Sequence, residues 1–149
     1  MSEVKIIEGG QFIDERGKIN YANGFSFEDV NRFYVITHDD TETIRAWQGH
    51  RLEKKFFFVV KGSFVIAWVK IDEWDNPSKD LKAEHLVMTE KDSPVLCLPA
   101  GYANGLRALE KDSKVLVFSE FDLDKSVEEK IRFDSELWFD WNELKSINS

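Results

Sequence analysis

The sequence predicts an all-β fold, a sandwich or barrel of short strands, on three observations. Short runs of aromatic and β-branched residues recur along the chain, and clusters of Gly, Asn, Asp, Ser and Pro fall between them. Twelve Phe and five Trp stand against three Pro, and aromatic side chains suit the half-buried surface of a pleated sheet.

The elements follow in order. Lys5–Ile7 and Gln11–Asp14 flank the turn residues Glu8-Gly9-Gly10, and Arg16-Gly17 marks the next turn. Arg32–Thr37 ends at His38-Asp39-Asp40, and Thr43–Trp47 follows. Lys55–Val60 holds Phe56-Phe57-Phe58-Val59-Val60, reads as a central strand and stops at Lys61-Gly62. In Ser63–Ile71, Phe64, Ile66 and Trp68 alternate with Val65, Ala67 and Val69. Both faces are apolar, so this strand is expected to be covered on both sides. Asp75-Asn76-Pro77-Ser78 breaks the chain before His85–Met88, and Lys91-Asp92-Ser93-Pro94 before Val95–Leu98. Pro99 and Gly101 set a tight turn between strands, and Glu110-Lys111-Asp112-Ser113 precedes Lys114–Phe121. Helices are expected only at Ser26–Asn31 and Ser126–Arg132. In the second, Ser126 serves as cap, with Glu128 and Glu129 in the first turn. No linker or repeat divides the chain, so residues 1–149 are read as one domain, with Lys145–Ser149 a frayed end.

Composition narrows the function. The 20 Lys and Arg against 28 Asp and Glu leave −8, which argues against nucleic acid as a partner. No apolar run approaches the roughly 20 residues of a membrane helix, and Met1–Ile7 is too short and acidic for a signal peptide. The single cysteine, Cys97, excludes an internal disulfide and fits a reducing cytoplasm, where the protein is expected to reside. A buried, inert thiol is its expected state.

Charge reverses locally. Between Arg45 and Lys61 stand Arg45, Arg51, Lys54, Lys55 and Lys61 against Glu53 alone. Converging Arg and Lys side chains clamp a phosphate or diphosphate; the plain alternative is a solvated strand end. Trp47 and His50 are interleaved with these cations. Pleating puts Gln48 and His50 on one face. His50 then reads as a proton-transfer group or as a structural histidine, and Trp47 as a stacking platform or as core. His38 and His85 are expected to be structural. The second dense stretch, Leu98–Leu106, contains Asn104-Gly105, which reads as part of a barrel mouth or as a turn.

Together the two stretches resemble the paired motifs of the cupin superfamily. Its first motif, His-x-His, then Glu, then Gly, falls on Gln48-Gly49-His50, Lys55 and Gly62; its second, beginning Pro-x-Gly-x-x-His, falls on Pro99–Asn104. The resemblance implies a double-stranded β-helix, the cupin jelly roll, here with a short C-terminal helix. Three of the four metal-ligand positions are Gln48, Lys55 and Asn104, so no metal and no cofactor are expected.

A narrower resemblance is to dTDP-4-dehydrorhamnose 3,5-epimerases. Asp14-Glu15-Arg16-Gly17, Arg45–Gln48, Lys55, Pro99–Leu106 and the tail Glu128–Trp141 follow that family's blocks in order. The dTDP-sugar 3,4-ketoisomerases are resembled too, with Arg45–Arg51 retaining their second histidine as His50, after the aromatic strand Asn31–Ile36. The resemblance implies proton transfer beside the 4-keto group of a nucleotide-linked deoxysugar, and a homodimer. The epimerase base positions hold Gln48 and Asn104, and its tyrosine region reads Val117-Phe118-Ser119. An amide is no base near neutral pH, so the role passes to His50, with Tyr34 and Tyr102 as the available acids. Lys55 would stabilise the enolate, Arg16 and Arg45 would hold the diphosphate, and Trp47, Gln48 and Asn104 would contact the sugar. The alternative is a nucleotide-sugar binding protein that kept the cavity and lost the chemistry.

Overall fold

The structure, a computed structural model, describes residues 3–143. The expected frayed end at Lys145–Ser149 lies outside them. In chain order the described residues form β1 (Lys5–Ile7), β2 (Gly10–Asp14), β3 (Gly17–Tyr21), β4 (Arg32–His38), β5 (Ile44–His50) and β6 (Lys55–Lys61). Then come β7 (Ser63–Lys70), β8 (Glu84–Thr89), β9 (Val95–Leu98), β10 (Tyr102–Ala108), β11 (Ser113–Ser119), α1 (Leu123–Glu128) and β12 (Ile131–Arg132).

Strand alternation builds two facing antiparallel sheets. One has the order β1-β9-β6-β11-β4 and the other β12-β5-β10-β7-β8, while β2 and β3 form a separate hairpin. Phe57 and Val59 of β6 and Val115 and Val117 of β11 meet Phe64, Ile66 and Trp68 of β7 and Leu106 of β10 in the core between the sheets. Burial of such side chains is the main favourable contribution to folding. The expectation for β7 holds: Ser63–Val69 are all buried. Its second face, Val65, Ala67 and Val69, packs with Trp47 and Trp141 under the C-terminal segment. That segment is tied down by Trp47, whose backbone exchanges hydrogen bonds with Phe133 at 3.1 Å in both directions. Arg107 fastens it further, donating to the Trp141 carbonyl at 2.9 Å.

Local readings differ at four places. Gly17–Tyr21 is a strand, because Phe12 and Ile13 pair with Ile19 and Lys18 across the hairpin. Asn104-Gly105 is no turn but the middle of β10, between β5 and β7. Residues 26–31 form turns instead of a helix: Phe25 stacks on Phe118 and Phe27 meets it edge-on, and the Asn31 N–H donates to the Ser119 carbonyl at 2.9 Å. The C-terminal helix starts earlier than expected. Asp122 caps it by accepting from the Lys125 N–H at 3.0 Å; Ser126 lies inside it, and Ile131–Arg132 leave it to pair with β5.

Candidate functional site

A cavity of about 450 Å³ opens between the two sheets. Its wall is made by β4, β5, β6, β10 and β12 and includes Tyr34, Ile36, Arg45, Gln48, Lys55, Phe57, Asn104, Leu106 and Arg132.

One irregularity in β5 explains how Arg45 and Gln48 share this wall. Residues three apart on a regular strand face opposite ways. Here Gln48 pairs with Asn104 and Arg45 with Leu106, so Ala46 and Trp47 together oppose Gly105. This is a β-bulge, which re-aims the side chains on either side of it. Glycine is required opposite it, since a Cβ on Gly105 would meet the Ala46 Cβ at 2.6 Å and the Trp141 ring at 2.7 Å.

Lys55 sits at the heart of the polar wall. Its ammonium donates to the Tyr34 hydroxyl at 3.2 Å and pairs with the Glu53 carboxylate at 3.4 Å. The Lys55 and Glu53 side chains are both almost wholly buried. Burial pushes the Glu53 carboxyl up, but hydrogen bonds from Ser119 and Ser126 and the Lys55 charge outweigh it and hold the group below its ordinary value. Three cations thus border the cavity, Arg45, Lys55 and Arg132. Arg132 stands opposite Gln48 across β12 and β5.

Of the residues singled out from the sequence, Tyr34, Arg45, Gln48, Lys55 and Asn104 come together here. Trp47 borders the cavity, but its ring is fully buried among the C-terminal aromatics and donates to the Leu137 carbonyl at 2.9 Å. Pleating puts it on the face opposite Gln48. His50 is not among the cavity-lining residues. Its Nδ1 meets the Glu53 carbonyl at 2.9 Å, which fixes the proton there, and Nε2 is buried with no partner among the described residues. Burial, aided by the Lys55 charge and opposed by Glu53, pushes its pKa down to about 4. Tyr102 is half-buried opposite His50 and also stands outside the lining. Arg16 lies on the separate β2–β3 hairpin, exposed and ion-paired with Asp14 at 2.6 Å, and is not among the cavity-lining residues.

Two residues at or beside the cavity escaped the sequence. Arg132 falls in a stretch with helical character, and nothing local ties it to Gln48. His38 does not line the cavity but accepts from the Arg45 Nε at 3.1 Å; its place beside two aspartates reads as a turn.

Two facing sheets enclosing such a cavity define the cupin jelly roll. Solved structures that share it include an epimerase, a dTDP-sugar isomerase and a 3,4-ketoisomerase. The RmlC epimerase of Mycobacterium tuberculosis matches with a TM-score of 0.73 at 19% identity, over 93% of this chain and 74% of that one. A dTDP-sugar isomerase of Desulfovibrio desulfuricans gives 0.75 at 14%, over 98% and 95%. A 3,4-ketoisomerase from Helicobacter canadensis gives 0.66 at 16%, over 97% and 96%. No family model and no curated protein matches the chain.

Proposed function

We propose that the cavity binds a nucleotide-linked deoxysugar and that the protein moves a proton beside the sugar's 4-keto group. The observation that carries this reading is the convergence of Arg45, Lys55 and Arg132 on one cavity in an acidic chain, with the Tyr34 phenol against the Lys55 ammonium. Arg45 and Arg132 would clamp the diphosphate, each guanidinium offering paired N–H donors. The fold shared with dTDP-sugar epimerases and ketoisomerases supports the substrate class.

The chemistry is a proton transfer through an enolate. A base takes the proton from the carbon beside the carbonyl, and the C–H electrons move to the 4-keto oxygen. Lys55 and the Gln48 and Asn104 amides supply donors to that oxyanion. Tyr34 returns a proton to carbon, and the phenolate left behind is stabilised by Lys55. His50 is the base in this reading: neutral at pH 7, with its proton held on Nδ1, it keeps a bare lone pair on Nε2. A homodimer is part of the same reading, since exposed Phe12, Ile13, Phe27 and Phe33 leave apolar surface for a second copy to cover.

One observation favours the non-catalytic alternative: His50 is outside the cavity lining. Incubation with a dTDP-4-keto-6-deoxy sugar in deuterated water, followed by NMR, separates the two. Deuterium entering C3 or C5, lost in His50→Gln and slowed about 100-fold or more in Tyr34→Phe, supports the enzyme. Tight binding without exchange supports the binding protein.

A further inference from the structure

We propose that His38 is a positioning residue, whose ring takes the Arg45 guanidinium on Nε2 and presents that cation to the ligand's diphosphate. The proposal deepens the nucleotide-sugar reading and rests on it.

His38 ends β4 on the face that carries Tyr34 and Ile36, and is 4% exposed. Its ring meets Phe64 edge-on with centroids 5.8 Å apart. Arg45 Nε donates to Nε2 at 3.1 Å, so that nitrogen carries no proton. A neutral ring then has its proton on Nδ1, which is buried and has no partner among the described residues. Buried donors are almost always paired, so a ring kept for packing alone would be better replaced by an apolar one. The contact that the ring does make is the one to Arg45. Taking Nε leaves both terminal nitrogens of Arg45 free of hydrogen bonds to the described residues. Those nitrogens suit two oxygens of one phosphate.

The contact depends on the charge of the ring. The charged groups facing His38 are Arg45 from β5 and Asp39 and Asp40 from the turn after β4, whereas β7 contributes Phe64 and β11 contributes Ser113. Burial lowers its pKa from the ordinary 6.5, Arg45 lowers it further, and the two aspartates oppose both. The ring is therefore neutral at pH 8. In acid it gains a proton on Nε2, loses its acceptor and repels Arg45.

Calorimetric titration with dTDP-glucose tests this, because its diphosphate has no group that titrates between pH 8 and about 5. Wild-type affinity is expected to fall about tenfold or more across that range, as a charge-assisted hydrogen bond is lost. At pH 8, His38→Phe is expected to bind about tenfold more weakly. His38→Gln, which offers Arg45 an amide oxygen, restores most of that affinity and removes the acid loss. A ring acting only as added positive charge would tighten binding in acid, and that result overturns the proposal. So does unchanged affinity at pH 8 in a folded His38→Phe. No binding by the wild-type chain at any pH overturns the nucleotide-sugar reading itself, and this role with it.

Discussion

Glu53 and Lys55 form an ion pair 3.4 Å long with almost no exposure of either side chain. Desolvating two charges is costly, and the pair persists because Ser119, Ser126 and Tyr34 satisfy the remaining valences. Removing one partner strands the other charge. Lys55→Met is expected to cost about 3–5 kcal/mol in urea denaturation, and Glu53→Gln a similar amount. The double variant is expected to cost clearly less than the sum. Simple additivity would show that the pair is not coupled.

His50 makes stability depend on pH with a definite sign. Its folded pKa of about 4 lies below the ordinary 6.5, so the unfolded chain binds its proton first as pH falls. The neutral ring therefore contributes stability above pH 6.5 that is lost between 6.5 and 4, by about 3 kcal/mol at most. His50→Gln keeps a donor for the Glu53 carbonyl and removes the titration. Denaturation midpoints followed over this range are expected to fall less steeply in the variant. Parallel slopes would contradict the assignment of a buried neutral ring.

The β-bulge opposite Gly105 sets the spacing of Arg45 and Gln48 at the cavity. Gly105→Ala places a Cβ against Ala46 and Trp141, and such overpacking costs about 1–3 kcal/mol. Because β5 must shift to relieve it, nucleotide-sugar affinity is expected to fall as well. Full stability and affinity in Gly105→Ala would show that the two strands are not held so closely.

Much of the fold is legible because it rests on local alternation. The doubly apolar run from Phe64 to Val69 announces a strand covered on both faces, and it is one. β10 is harder to see, because Pro99, Gly101 and Asn104-Gly105 are all turn signals. Only Gly101, with a φ of +99°, uses that freedom in a turn; Gly105 serves close approach between strands. Ser126 has the chemistry of a cap, but Asp122 occupies the cap position and Ser126 turns to Glu53. The site divides along the same line. Arg45, Gln48 and Lys55 are close in sequence, and they share the cavity wall with Tyr34 and Asn104. Arg132 reaches Gln48 through the pairing of β12 with β5, and His38 meets Arg45 from the opposite sheet, and no local pattern records either. The placement of Arg45 on the same wall as Gln48 follows from the bulge and could not be read from a regular pleat.

The most direct test of the central claim is a calorimetric titration of dTDP-glucose into the wild-type chain, Arg45→Ala and Arg132→Ala at pH 8. Saturable binding is predicted in the wild type, weakened about tenfold or more in each variant, as expected when a charged hydrogen-bond donor is removed. Absence of saturable binding in the wild type, or equal affinity in all three, would contradict it.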